Sequence, residues 1–374
     1  IDITFKRVED FHPDNLLNQV EQIKKVVEAR KTLVDLLEKR CSFSDAKTYL
    51  ESLSGESSII KDVSSGITEQ TYSDTANKAI NKIDVALSDQ LDEIIHNPSF
   101  QQIESTWRGL ELLINFQDKV IFELLNVKQP EILEQFEQNI FQKEYYDEFD
   151  VPLSLILCNF EFTNRADDIN IIRNMSEKAS LLQVVFIASL KPEFFGMRNI
   201  LHLLALTNLS SQLTTPAHSA WKNFLNSDSS RWASFTMNRF LLRELYGSEN
   251  NQIKTFDYKE KADPSHPERY LWGNPIWLAG YVLARSFVNN NSCLSISGLG
   301  LGGEYGGLAT KEYPISVKEK VNIPVEVPMT DDKVWSFINA GVNPLNCYPN
   351  SNIAYFPLSV NAYRSGGVTL HSTL

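Results

Sequence analysis

His96-Asn-Pro-Ser-Phe-Gln-Gln-Ile-Glu-Ser-Thr-Trp-Arg-Gly-Leu-Glu-Leu-Leu113 holds a helix stop, a helix start and an uncommon Trp-Arg-Gly core in one phrase. Pro98 removes an amide donor and pushes Asn97 out of the α region, so the preceding helix is expected to end there. Ser99 is the expected cap of a new helix. In that helix Phe100, Ile103, Trp107 and Leu110 recur at spacings of three and four and form one apolar face. Gln101, Gln102 and Glu104 fall outside this stripe, and Arg108 lies one position off it. Gly109 follows, and Trp107 belongs in a core with Arg108 at its edge.

Upstream, a helix is expected from about Thr75 to Ile95, with Ala79, Ile80, Ile83, Leu87, Leu91 and Ile94 as its face. Downstream the text alternates. A strand is expected at Val120–Val127, a helix at Pro130–Gln142 and a buried strand at Leu153–Cys158. A helix near Asp168–Leu182 leads into a second apolar strand over Gln183–Ala188, and a further helix covers 275–288. This alternation predicts an α/β fold of mixed α+β character, a layered sheet with flanking helices.

The chain has 374 residues, 43% of them apolar, enough for one sizeable core or two. Its net charge of -12 argues against nucleic acid as a principal ligand. No run of eighteen apolar residues exists, so membrane insertion is not expected. Cys41, Cys158, Cys293 and Cys347 are scattered without paired spacing, which suits reduced thiols rather than a disulfide frame or zinc site. The histidines form no metal-ligand pattern, and the neighbouring carboxylates Asp167-Asp168 and Asp331-Asp332 read as caps or turns. No catalytic, cofactor-binding or metal-binding residue is assigned.

Gly298, Gly300 and Gly303 satisfy G-x-G-x-x-G, the pattern of a dinucleotide loop. The segment that follows carries Gly306, Gly307 and Pro314, so the helix N-terminus that should receive a pyrophosphate is missing. A tightly turning loop is the plainer reading; a nucleotide-binding α/β enzyme using Gly298–Gly303 is the alternative. Arg239 and Arg243, four apart, are expected on one helical face as ionic contacts within or between subunits. The six tryptophans, at 107, 221, 232, 272, 277 and 335, are mostly expected in cores.

The phrase at 96–113 resembles the opening of the core region of the type VI secretion contractile sheath large subunit. The resemblance continues in order through Ile121–Val127, Leu155–Phe162, Trp221 with Asp228–Arg231, Asn238–Gly247, Tyr270–Asn274, Ile296–Leu308 and Gly341–Tyr348. It covers about residues 75–350. It marks Trp107, Arg108, Gly109, Arg239, Arg243, Trp272, Gly302 and Gly303 as structural residues of the family pattern. Ile3–Asp14 resembles instead the strand and turn of the sheath small subunit, and Val20–Leu37 resembles its long helix. Along that helix Leu16, Val20, Ile23, Val27, Val34 and Leu37 form a packing seam interrupted at Arg30, with Glu21/Lys25 and Asp35/Lys39 as flanking pairs. Pro13 suits a first helical turn. The expected division is a small-subunit-like segment at 1–51, a polar linker or junction at 52–74, and a large-subunit-like region at 75–374 in which the family's long C-terminal region has no counterpart.

The resemblance implies a non-enzymatic bacterial cytoplasmic protein that self-associates into a helical, phage-tail-like sheath. Its implied partners are the other sheath subunit, the inner tube protein, the baseplate and an AAA+ unfoldase. A helical polymer follows from heterologous interfaces that do not close, and contraction from packed interfaces with two discrete arrangements. A non-contracting sheath-like adaptor or baseplate protein is a further alternative.

Overall fold

The structure, a computed structural model, describes residues 3–363 apart from 54, 56–57, 147–150, 207–208 and 317. It divides into two compact units, one of Ile1–Trp107 with Glu244–Tyr270, the other of Arg108–Arg243 with Leu271–Leu374.

The first unit is helical, with α1 (Pro13–Gln19), α2 (Glu21–Leu37), α3 (Phe43–Leu53), α4 (Ser58–Gly66), α5 (Tyr72–Ile95) and the start of α6 (Pro98–Ile114). Residues 3–7 find no strand partner among the described residues, so the leading strand is not formed; Val8–Phe11 is instead a 3-10 turn. Pro13 stands in the first turn of α1, where its missing amide costs nothing, and the His12 ring accepts from the Asp14 amide. The helix then breaks at Val20, which is extended, and α2 begins one residue later. On α2 the fully buried positions are Ile23, Ala29, Leu33 and Leu36, while Val27, Val34 and Leu37 are half-buried. The expected seam is thus rotated by one position in its second half. A 3.6-residue helix drifts off a 3.5-residue repeat, and α2 packs against both α3 and α5. Within the polar stretch 52–74, α4 is helical, and Ile60 and Ile67 enter the core at 1% exposure. Compactness therefore divides the chain elsewhere than this junction.

Asn97, not Ser99, caps α6: its side-chain oxygen accepts from the amides of Ser99 and Phe100, and Pro98 occupies the first helical position. Ile103 is 43% exposed, whereas Glu104 is fully buried. The inward face near the start of α6 is therefore Phe100 and Glu104, with Trp107 half-buried.

The second unit is built on a parallel sheet of order β1-β2-β3-β9, formed by β1 (Leu155–Phe162), β2 (Val185–Leu190), β3 (Ala233–Met237) and β9 (Val342–Pro344). Its side chains divide by parity. Phe186, Ala188 and Leu190 face a core shared with α7 (Ile132–Phe136), α9 (Ala166–Leu182), α12 (Ser219–Leu225) and α14 (Asp331–Ile338). Val185 and Ile187 face the opposite core, shared with α13 (Ile276–Asn290). Fully buried strands covered on both faces produce the unbroken apolar runs seen in the sequence. Between α7 and α9 lies the short α8 (Gln142–Tyr145), and α10 (Ile200–Ala205) and α11 (Leu209–Leu213) precede α12. Shorter antiparallel pairings join β4 (Phe240–Leu241) to β5 (Trp272–Gly273) and β7 (Lys311–Pro314) to β8 (Lys320–Ile323). A third joins β11 (Ala354–Tyr355) to β6 (Glu304–Tyr305) and β10 (Asn346–Cys347).

Three expectations are corrected here. Residues 121–127 are not a strand but a stretch without backbone pairing, exposed over 121–126, with Val127 half-buried against the core. Arg239 and Arg243 are not on a helix: the short strand β4 lies between them, because Phe240 and Leu241 pair with β5. Trp335 is 55% exposed on α14 rather than in a core, although Trp221, Trp272 and Trp277 are buried.

Candidate functional site

In the first unit the small-subunit-like start of the chain is seated on the helix that carries the Trp-Arg-Gly phrase. Phe5 stacks on Phe11 at 4.1 Å, and both meet the Phe100 ring edge-on at 5.7 and 5.6 Å. The Phe11 and Trp107 centroids are 6.2 Å apart. Edge-to-face aromatic packing of this kind adds about 0.5–1.5 kcal/mol per pair beyond the area buried. The buried Tyr246 hydroxyl lies 3.2 Å from both the Phe11 carbonyl and a Glu104 carboxylate oxygen. That contact explains why an acid occupies the inward face of α6: a buried carboxylate is tolerated where it accepts hydrogen bonds.

Two further ties close the same unit. Asp14 accepts from the Lys254 amide (3.0 Å), the Thr255 amide (3.0 Å) and the Thr255 hydroxyl (2.6 Å). Partial burial pushes the Asp14 carboxyl up, but these hydrogen bonds outweigh it and hold the carboxyl below its ordinary range. Arg30, which breaks the apolar seam of α2, forms a two-pronged pair with Asp84 on α5, one prong at 3.0 Å, and donates to the Thr255 carbonyl at 3.2 Å. A planar guanidinium suits that double contact as a lysine would not. Leu16, Val20 and Ile23 lie in the adjoining core with Val27 and Leu37 packed against it. Val34, half-buried, is the one seam residue outside that core.

In the second unit the structure brings together some of the family-pattern residues. Gly109 marks a close approach of α6 to α13, since a methyl group there would lie 2.3 Å from the Trp277 indole nitrogen. The Arg239 guanidinium donates to Glu326 at 2.7 Å and stands 5.9 Å from the Trp272 ring. Partial burial works against the Arg239 cation; Glu326 and Glu161 more than offset this and raise its pKa. Burial also pushes the Glu161 carboxyl up, against the pull of Arg239. Arg243 is buried at 8% exposure, and Arg108 is half-buried. Arg239 and Arg243 are not brought together by a shared helix.

The glycine loop carries no phosphate cradle. Glu304 accepts from the amides of Gly300 (3.0 Å) and Gly302 (3.1 Å), so the chain's own carboxylate occupies the donors an anion would need. Arg285 donates to the Gly302 carbonyl at 2.6 Å. Gly302 and Gly303 are required by close backbone approach: a methyl group would lie 2.4 Å from the Ser295 carbonyl oxygen or from the Ser297 Cα. The nucleotide reading is thereby disfavoured. Among the described residues no group of histidine, cysteine, aspartate and glutamate could hold a metal ion, and no helix is long and apolar enough to cross a membrane. The arrangement positions helices and strands.

Sequence reasoning missed Glu104, Asp14 and Asp84 as tie points. The interruption at Arg30 was a visible signal for one of them; the partner stretch at 244–270 carried none.

The model of the EvpB/VC_A0108 tail sheath N-terminal domain (VipB) matches residues 77–363. A second model, for type VI secretion system VipA, VC_A0107 or Hcp2, matches residues 1–67. The type VI secretion system sheath protein TssC1 of Pseudomonas aeruginosa is 28% identical over 311 residues, covering 77% of this chain and 62% of that protein. The chain thus spans less than two thirds of the length of the curated relative it matches.

Proposed function

The chain belongs to the type VI secretion tail sheath family, and from that premise we propose that it is a non-enzymatic structural subunit of a contractile sheath. The observation that carries the reading is the seating of the VipA-like start on the VipB-like helix, through Phe5, Phe11, Phe100 and Trp107, within one chain. A single polypeptide then supplies what two sheath subunits supply elsewhere. On this reading 1–51 and 75–374 are the two functional parts, with 52–74 as their junction. Leu16, Val20, Ile23, Val27, Val34 and Leu37 hold the first part to the second. Trp107, Arg108, Gly109, Arg239, Arg243, Trp272, Gly302 and Gly303 keep the frame that must survive contraction.

The partners are further copies of the chain, another sheath subunit, the inner tube, the baseplate and an unfoldase, in a bacterial cytoplasm. Heterologous contacts that do not close give an open helix, and two discrete packings of that contact give a long and a short form. Negative-stain microscopy of the purified chain, alone and with an inner tube protein, tests the proposal. Tubes or cogwheel cross-sections are expected; monodisperse monomers in every condition would overturn it.

A further inference from the structure

On the face of the sheet that meets α13, the side chains change character from one strand to the next. β1 and β2 contribute Leu155, Leu157, Val185 and Ile187 to the apolar core there. The same layer continues through Ser189, Ser234, Thr236 and Asn343, all buried, where a parallel strand covered on both faces ordinarily carries Val, Ile or Leu. Polar residues in such a layer need partners.

Between this layer and α13 lies an internal space of about 20 Å³, counted as the volume open to the centre of a water-sized sphere. Its polar wall is Ser234, Thr236, Asn343 and Ser359, and Ile187 and Val282 are among its apolar neighbours. No residue of the lining exceeds 7% exposure. On this measure about 10–15 Å³ is enough to hold one water molecule.

The hydrogens of the polar wall are already committed. Ser234 Oγ donates to the Val360 carbonyl at 3.1 Å, and Ser359 Oγ to the Ile296 carbonyl at 3.2 Å. Ser189 gives its hydrogen to Asn274 Oδ1 at 2.5 Å, so Thr236 Oγ1, 2.6 Å from Ser189 Oγ and 3.3 Å from the Ala188 carbonyl, is itself a donor. The Asn343 side-chain amide donates to Ser234 Oγ (2.9 Å) and the Val360 carbonyl (2.8 Å). What remains on Ser234, Thr236 and Ser359 is lone pairs. An occupant must therefore donate hydrogen bonds and be no larger than a water. It must also be uncharged, because no carboxylate lines the space to balance a buried cation.

We propose that this space is a binding site for a single internal water, which donates to hydroxyl oxygens of the polar wall and joins β3 to the stretch that carries Ser359. The serine and threonine of β3 then have a purpose: they make a hydrated joint under α13 where an aliphatic wall would stay dry. The inference concerns the sheet unit alone and stands or falls separately from the sheath reading.

Oxygen-17 magnetic relaxation dispersion on the full chain tests it, since it registers long-lived internal waters through their oxygen and is blind to exchanging hydroxyl protons. Thr236→Val keeps the shape of the side chain and removes its hydroxyl. Ser359→Ala removes the hydroxyl on the other segment, and Ser65→Ala, at an exposed position, is the control. Each of the first two should lower the dispersion amplitude by the contribution of one water, and the control should keep the wild-type amplitude. Hydrogen exchange at the β2 amides reports whether each variant is folded, and Ser359→Ala carries the test if Thr236→Val is not. An unchanged amplitude in the folded Ser359→Ala chain would overturn the proposal, as would an equal drop in all three variants.

Discussion

The two units hold themselves together by different means. The sheet unit relies on volume: Trp221, Phe194, Phe195, Phe186 and Phe235 are entirely buried, Gly109 lets α6 approach Trp277 of α13, and Gly280 lets α13 approach Leu157 of β1. The helical unit relies as much on directed polar contacts, with Asp14, Asp84, Asp92 and Glu104 each receiving a hydrogen bond from a residue distant in sequence. A unit closed by packing should answer to changes of size, and one closed by carboxylates to changes of charge and pH.

The largest expected effect is on the volume side. Trp221→Ala empties the space beside Phe194 and Phe235 and should cost about 3–5 kcal/mol, read as a lower denaturation midpoint with early loss of exchange protection in β2 and β3. Gly109→Ala should cost about 1–3 kcal/mol in the same assay, because the Trp277 ring it meets is buried and cannot swing away. Asp84→Ala leaves the Arg30 guanidinium without its two-pronged partner and should cost about 1.5–3 kcal/mol at most, with exchange rising in α2 and α5 and little change in the sheet. An equal response of both units to it would break the contrast.

Acid sharpens the comparison further. The Asp14 carboxyl is held below its unfolded value near 3.8, so its contribution is fully present above that pH and is lost as pH falls through the lower folded value. As pH falls below about 4 the Asp14 tie should be lost from the helical unit, and Asp14→Asn should flatten that part of the acid slope, measured by titration of helical exchange. The smallest effect concerns reactivity alone. Burial pushes the thiols of Cys158 and Cys347 up to about 12, so at pH 8 alkylation should reach the half-buried Cys41 and Cys293 first, by mass spectrometry. Early labelling of Cys158 would show the sheet unit to be less closed than its packing implies.

The sequence was legible wherever one element's own periodicity decides the outcome. The alternation of strand and helix around β1, α9 and β2 shows in apolar runs and spacings, and the Trp-Arg-Gly phrase identified the family. It was not legible where a distant partner overrides the pattern. Glu104 turns inward and Ile103 outward because Tyr246, 142 positions on, supplies a hydroxyl. Arg239 and Arg243 have helical spacing, yet Phe240 and Leu241 pair with β5. Ser99 is as good a cap by composition as Asn97, but Asn97 directly precedes a proline in the first helical position. The candidate site was half visible: its aromatics stood in the sequence motifs, and its ionic ties needed the stretch at 244–270.

The bond between Asp14 and Thr255 also imposes an order in time. The two residues are 241 positions apart, so the carboxylate that fastens the first helix leaves the ribosome long before its partner exists. At about 5–20 residues per second the wait is on the order of 10–50 s. During it α1 to α5 have their apolar faces but not their fastening, and the sheet residues up to β3 are made in the interval. The helical unit is therefore begun first and completed late.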